Sequence, residues 1–357
     1  MKRLTAIDLF CGAGGFTLAA KNLDIHVLAA VEYNKNACET YNANFIKKGK
    51  PSPKLYSEDI IRLDLKEMRK DLNLKPFELD ILMGGPPCQG YSTHRIKDAG
   101  VDDPRNKLLL RYFDVVREFL PKTFIVENVP GMLWLRHKKY VDSFYQFAKD
   151  EGYVVFKPVV LNAKDYGVPQ NRKRVFILGY HKSLPVSFQW PPSPTHFDPK
   201  SKECLEEQEP AWLPASTVFE KKLANGDVNA VHMNHSKELI RVFKSTPKNG
   251  GSRFESCREL RCHKGHNGHK DVYGRINPKE PGPTMTTACV NPSKGRFLHP
   301  TQNHGITVRH AARFQGFPDG FFFHGGLMAG GMQVGNAVPI GLGENILDVI
   351  SQALRVI

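Results

Sequence analysis

The sequence predicts an α/β protein: a mostly parallel sheet with helices on both faces, and a second, smaller, irregular domain. Three observations carry this. Short apolar runs alternate with helical patterns through the first half. Prolines crowd the region after residue 183. An apolar helical pattern then returns near residue 340. Strands that alternate with helices make βαβ units, and βαβ units make parallel sheets.

The strand candidates come first. "LTAIDLF" is a buried run ended by "CGAGG", and "HVLAAVE" is a second, ending in Glu32. "LDILMGG", "TFIVENV", "VVFKPVVLN" and "RVFILGY" follow. Between them, "NKLLLRYFDVVREFL" places apolar residues at 109, 112, 113, 116, 119 and 120, which is helical spacing. From Pro185 to Pro214 there are seven prolines, which argues against regular elements there. "ITVRHAARFQGFP" reads as a short helix. "AVPIGLGENILDVISQAL" reads as a longer one with Pro339 in its first turn. Its apolar positions 346, 347, 350 and 354 need a surface to pack on. The first domain's sheet is the expected surface, so the chain leaves that domain and returns. The expected domains are therefore 1–182 plus 324–357, and 183–323.

The 357 residues carry a net charge of +14, with a pI near 9.4. That balance suits a polyanion, nucleic acid before others. From Arg241 to Arg275 there are nine Lys/Arg and three Asp/Glu, a local excess of nine minus three, +6. Seven cysteines at irregular spacing do not read as a disulfide framework. "MKRLTAIDLF" meets Asp8 inside its apolar run and is no signal peptide. No segment reaches the ~18 apolar residues of a membrane span. The expectation is a cytosolic protein with reduced thiols.

"DLFCGAGG" follows a strand and precedes a helix, so glycine lets the backbone turn and approach a ligand. Glu32 ends the next strand, where a carboxylate can accept from a ribose diol. Asp59, ending "YSED", can take an adenine amino group. A nicotinamide dinucleotide and an adenosyl cofactor both fit this much. Gly-Ala-Gly-Gly in place of the full G-x-G-x-x-G favours the adenosyl cofactor, which has no pyrophosphate to seat.

In "MGGPPCQGYS" a thiol, Cys88, is held between prolines and small residues. A free thiol has a pKa of about 8.5 and needs help to attack. "VENV" places Glu127 and Asn128 at the carboxyl end of another strand, the edge where open parallel sheets bind ligands. "QNRKRVF" adds Arg172 and Arg174, on one face if extended. A thiol, an acid, arginines and an adenosyl cofactor in a basic chain suggest attack on pyrimidine carbon 6, which makes carbon 5 nucleophilic.

The chain resembles bacterial-type DNA (cytosine-5) methyltransferases over nearly its whole length. The blocks "DLFCGAGGF", "GGPPCQGYS", "VENV", "QNRKRVFILG", "ITVRHAARFQGFPD" and "QVGNAVP" come in that family's order. The resemblance implies a Rossmann-like, S-adenosylmethionine-dependent sheet, DNA (cytosine-5-)-methyltransferase activity and double-stranded DNA as substrate. It implies that Cys88 is the nucleophile, that Glu127 holds the cytosine edge, and that Arg174 and its neighbour Arg172 belong to the catalytic set. Phe10, Gly12, Ala13, Gly14, Gly15, Glu32, Tyr33, Asp59, Ile60, Leu108 and Asn336 match cofactor positions. Pro87, Ser92, Arg105, Asn128 and Arg309 match substrate positions, with Ser92 and Arg105 in a loop that closes over DNA. His310 stands where relatives often carry Glu, in a motif that organises the recognition domain. A bacterial or archaeal cytosolic monomer at the nucleoid is expected, and any companion restriction endonuclease is expected to form no stable complex with it.

"CRELRCHKGHNGH" offers Cys257, Cys262, His263, His266 and His269, but not at the spacing of a standard zinc site, so no metal is assigned. A basic DNA-facing loop is the preferred reading. Arginine and lysine of "HKDVYGRI" are candidates for guanine edges. Three rivals stand beside the main reading: a tRNA cytosine-5 methyltransferase, a catalytically inactive DNA-binding protein, and, last, a nicotinamide oxidoreductase. The long recognition region favours duplex DNA over tRNA.

Overall fold

The computed structural model describes residues 3–47, 52–87, 107–257 and 271–356. Cys88, Ser92 and Arg105 lie outside the described residues, as do Cys262, His263, His266 and His269 of the Cys/His segment.

The chain divides into two compact units. Unit 1 is 1–162, 173–193 and 342–357; unit 2 is 163–172 and 194–341. These bounds differ from 1–182 plus 324–357 and 183–323. Apolar periodicity marks where the chain changes character, whereas compact units follow which residues pack together. The segment 163–172 lies inside a run of strands in sequence, yet it packs with unit 2.

Unit 1 opens with β1 (Thr5–Leu9), α1 (Gly15–Asn22), β2 (His26–Val31), α2 (Lys35–Tyr41), β3 (Lys54–Tyr56), α3 (Leu65–Asp71) and β4 (Ile81–Gly84). It continues with α4 (Lys107–Phe119), β5 (Thr123–Asn128), α5 (Lys138–Asp150), β6 (Tyr153–Val155), β7 (Val159–Asn162) and β8 (Lys173–His181). The sheet order is β3-β2-β1-β4-β5-β8-β6, with β7 also on β8. From β3 to β5 every pair is parallel. β8 runs antiparallel to β5, and β6 and β7 antiparallel to β8. The run "VVFKPVVLN" is thus two short strands, not one. Pro158 has no N–H to give a ladder, and the pairing breaks there.

β1 to β3 grow outward on one side and β4 to β5 on the other, so the chain reverses direction between β1 and β4. Ligands bind outside the carboxyl ends of strands at such a point. The two segments that leave it are Phe10–Gly14 and Gly85–Pro87.

Both faces of the sheet are covered. Residues 6–9 of β1 are all buried, as in strands with helices on each side. Ile7, Leu9, Leu82, Phe124 and Val126 share a core with Met68 of α3, Leu109, Phe113 and Val116 of α4, and Phe144 of α5. Asp8 points the other way, since successive strand residues alternate. Its Oδ2 accepts from Thr17 N (3.1 Å) and Thr17 Oγ1 (2.7 Å) of α1.

Unit 2 has α6 (Lys202–Leu205), α7 (Ser216–Glu220), α8 (Lys237–Ser245), α9 (Val308–Phe314) and α10 (Gly326–Asn336), with single β-bridges among its described residues. The final helix, α11 (Ile340–Leu354), starts one residue after Pro339. From Leu342 onward it belongs to unit 1, where Asn22 Nδ2 donates to Glu344 Oε1 (2.5 Å) and Arg355 to Leu23 O (3.1 Å). Ile346, Leu347, Ile350 and Leu354 are buried, as their spacing predicts. The chain therefore leaves unit 1 and returns to it. No helix among the described residues is long and apolar enough to cross a membrane.

Unit 2 is built around a buried cation. Arg275, 1% exposed, donates to the carbonyls of Thr246 (3.0 Å), His299 (2.8 Å), Phe243 (2.6 Å) and Gln302, and to Asn303 Oδ1 (2.8 Å). A guanidinium has five N–H donors, so this set leaves none for a base edge. This arginine, read from the sequence as a candidate for guanine, instead ties the end of α8 to the segment 299–303.

Candidate active site

The first part of the site is built on the turn after β1. Phe10 (φ 56°), Gly12 (φ 54°) and Gly14 (φ 91°) all take left-handed backbone. At Gly14 an added Cβ would strike the Phe45 ring, so glycine is required twice over. At Gly12 nothing lies within 4 Å of an added Cβ, which leaves its face open to a ligand. Ala13 and Gly15 are buried within the turn.

Glu32 closes the turn from the end of β2. Its Oε2 accepts from Gly12 N (2.9 Å), and its Oε1 from Tyr33 N (2.9 Å) and Asn34 N (2.8 Å). Burial raises its pKa above the usual carboxylate range, and the three N–H groups work against that rise. A carboxylate has about four acceptor positions, so these bonds leave capacity for a ribose hydroxyl. Beneath the turn, burial pushes Asp8 up to about 7. Its partner Thr17 is bonded in turn to the Tyr41 hydroxyl (2.9 Å).

The other expected cofactor residues divide. Tyr33 is 69% exposed. Asp59 is half-buried, and its Oδ1 accepts from Ile61 N (3.0 Å). Arg111 of α4 fastens this segment through Ile60 O (2.9 Å) and Leu63 O (2.7 Å). Nothing in the sequence marked Arg111 for that task. Ile60 is 4% exposed within the core, and Leu108, in the first turn of α4, is half-buried against that core. Ile60 therefore offers little surface to an adenine, in contrast to Tyr33. Asn336 is exposed at the end of α10, in unit 2. The donor set of Glu32, Asp59, Tyr33 and the open Gly12 fits an adenosyl group.

The second part of the site lies at the carboxyl ends of β4 and β5. In the β5–β8 ladder Glu127 faces Phe176, so Arg174 is its diagonal neighbour on the same face. Arg174 Nε lies 2.9 Å from Glu127 Oε1, with the side chains 13% and 12% exposed. Burial pulls the arginine pKa down and Glu127 opposes it; arginine keeps its proton here. The other glutamate oxygen rests against Gly85: an added Cβ would sit 2.9 Å from Oε2. The glycine before Pro86 and Pro87 thus makes room for the acid. Asn128, 4% exposed, donates from Nδ2 to Pro86 O (3.3 Å) and accepts from Val129 N (2.7 Å). It ties β5 to the segment that ends, among the described residues, at half-buried Pro87.

The two arginines of "QNRKR" do not share a partner. Arg172 precedes β8 and belongs to unit 2. It is 1% exposed and donates to the carbonyls of Met285 (2.7 Å), Gly335 (2.7 Å) and Ala337 (3.1 Å). Arg309, expected among the substrate positions, is occupied by protein partners. It is 3% exposed and holds Asp227 through Nε (2.7 Å) and Nη2 (3.1 Å), and Pro318 O (3.2 Å). A phosphate would have to displace a buried bidentate pair.

His310 has a clear structural use. It is the third residue of α9, and its Nδ1 accepts from Thr307 N (3.4 Å) while Thr307 Oγ1 accepts from His310 N (3.0 Å). This is the reciprocal cap that glutamate usually completes. Burial and the neighbouring His299 push its pKa down to about 3, so the ring stays neutral and can accept.

The C-5 cytosine-specific DNA methylase profile matches residues 4–352. The Type II methyltransferase M1.HphI of Haemophilus parahaemolyticus is 34% identical over 348 residues, 97% of this chain and 86% of its own. The Type II methyltransferase M.MthTI of Methanothermobacter thermautotrophicus is 34% identical over 361 residues, covering 98% and 97%. Among solved structures, a putative DNA modification methyltransferase encoded within a prophage (E. coli) superposes with a TM-score of 0.74, at 25% identity and 99% coverage of both chains. The chain belongs to the C-5 cytosine-specific DNA methylase family. It is a DNA (cytosine-5-)-methyltransferase with the Rossmann-like sheet of that class.

Proposed function

We propose that this chain is a sequence-specific Type II DNA methyltransferase that methylates carbon 5 of a flipped-out cytosine through a covalent Cys88 adduct. The observation that carries the proposal is the Arg174–Glu127 pair beside Gly85, at the strand edge that leads into Pro86–Pro87–Cys88. The names of its relatives support the Type II assignment.

The Cys88 thiolate adds to carbon 6 of the target. Glu127, oriented by Arg174, acts in its acid form: its O–H donates to ring nitrogen 3 of the cytosine and stabilises the charge that develops there. Carbon 5 then becomes enamine-like and nucleophilic. Glu32, Asp59, Tyr33 and the Gly12 turn would hold S-adenosylmethionine, which supplies an electrophilic methyl group when bound. Water takes the carbon 5 proton, the C–H pair re-forms the 5,6 double bond, and the Cys88 thiolate leaves carbon 6 with its electron pair. Unit 1 carries this chemistry and unit 2 reads the DNA. The target carbon is shielded in a stacked duplex, so the base leaves the stack, at a cost of about a few kcal/mol. The protein works as a monomer in the cytosol, at the nucleoid, with a companion endonuclease outside any stable complex.

The test is labelled methyl transfer into duplex DNA and into tRNA, followed by a 5-fluorocytosine trap. Fluorine cannot leave as a cation, so protein should stay attached to DNA at a peptide containing Cys88, and only with S-adenosylmethionine present. Cys88→Ser should abolish the adduct. Methylation of ordinary DNA with no trap would reject the covalent route. Transfer to tRNA alone would reject the substrate.

A further inference from the structure

An apolar ridge follows the strand that carries Glu127. Leu133, Trp134 and Leu135 are consecutive, and they are 41%, 37% and 87% exposed. Leu133 ends one short 3₁₀ turn, Pro130–Leu133, Leu135 starts another, Leu135–His137, and Trp134 is the extended residue between them. The turns are well fastened: Met132 N donates to Val129 O (3.0 Å), Trp134 N to Gly131 O (3.2 Å) and His137 N to Trp134 O (2.8 Å). Met132 and His137, 0% and 1% exposed, anchor the ridge on either side. Apolar surface left in water on well-fastened turns, above all at Leu135, gains nothing from folding. Such exposure marks a contact surface.

The surroundings indicate the partner. Arg136, Lys138 and Lys139 follow the ridge, and no acid intervenes before Asp142. Lys138 and Lys139 are exposed, and the Lys138–Asp142 pair (2.6 Å) has side chains 65% and 59% exposed, so it yields easily to a phosphate. In a two-fold dimer through this patch, like charges of the two copies would face each other. A polyanion with apolar edges fits better. Duplex DNA combines phosphates with sugar and base surfaces, and apolar side chains wedge against such surfaces in bent or opened duplexes. The ridge leaves the same strand end as Glu127, so DNA presented to that acid passes near it.

We propose that Leu133, Trp134 and Leu135, with Lys138 and Lys139, form a duplex-binding ridge. The apolar side chains pack on deoxyribose and base edges beside the target, and the lysines take the flanking phosphates. This rests on the DNA-methylation reading above.

The experiment is hydroxyl-radical footprinting of the wild-type protein, with and without a duplex that it methylates. Oxidation of Trp134 and Leu135 should fall severalfold on adding DNA. In parallel, Trp134→Ser/Leu135→Ser should weaken duplex affinity about tenfold, the size of one well-made contact. Its affinity for S-adenosylmethionine alone should match wild type, which also reports that it is folded. Unchanged oxidation and unchanged affinity, in a protein that still methylates DNA, would overturn the ridge and leave the proposed function standing. Protection that grows with protein concentration and without DNA would identify a dimer face and overturn it equally. If no duplex is methylated, it is the function reading that fails.

Discussion

Glu127 and Arg174 stand diagonally across an antiparallel strand pair, 2.9 Å apart, in a sheet that is otherwise parallel through its centre. The reversal of β8 is what brings the arginine to the acid. In a buried pair of this kind, removing one partner alone costs about 3–5 kcal/mol, because the other is left uncompensated.

Glu127→Gln should therefore slow methyl transfer by about 10²–10⁴, the worth of general acid–base assistance. Affinity for duplex DNA should stay near wild type. Urea denaturation completes the test: Arg174→Met should destabilise more alone than together with Glu127→Gln. Additive effects would mean that the pair is not coupled.

Gly85→Ala addresses the space beside the acid. The new Cβ would lie 2.9 Å from Glu127 Oε2, so the carboxylate must shift. Turnover should fall by at least about tenfold, since small misplacements of catalytic groups are costly. The melting temperature should move only a few degrees. Single-turnover rates would show this; a wild-type rate would mean that Glu127 does not need its present position.

Unit 2 should lose stability in acid because of its histidines. His299 is held down to about 4 and His310 to about 3, first by burial and then by neighbouring positive groups. Both use Nδ1 as an acceptor, His299 from Thr301 N (3.2 Å) and Gln302 N (3.1 Å). Their folded pKa values lie below the ordinary 6.5, so the unfolded chain takes protons first. The stability they contribute is complete above about pH 6.5 and is lost as pH falls toward 4 and then 3. His310→Gln keeps the reciprocal cap without a titrating ring. Its melting temperature should fall less steeply between about pH 6.5 and 4, and a slope equal to wild type would contradict this account.

The salt dependence of DNA binding should trace to exposed cations only. Arg241, Lys244 and Lys248 are exposed, whereas Arg253 and Arg275 are buried. Replacing the first three with serine should reduce the slope of log K against log salt, by about 0.9 for each phosphate no longer neutralised. Arg275→Ala should instead destabilise unit 2, through the carbonyls it leaves without a donor. Filter binding across a salt series separates the two outcomes.

Much of this enzyme was legible from its residue order. The parallel strands announce themselves as apolar runs because both faces of each are covered. The glycine turn, Glu32 and Glu127 follow such runs directly, so their place at a strand's carboxyl end needs no long-range information. The returning helix α11 was readable in part: its apolar stripe had to be buried, and from Leu342 it groups with unit 1. What the residue order could not decide was the employment of its arginines. Arg172, Arg174, Arg275 and Arg309 are chemically alike, and each lies in a motif of similar polarity. Only tertiary packing settles that Arg174 meets a carboxylate at the site, that Arg309 is locked to Asp227, and that Arg172 and Arg275 satisfy carbonyls of distant loops. A buried guanidinium takes whatever acceptors the fold brings within about 3 Å, and those acceptors come from segments that no local pattern connects.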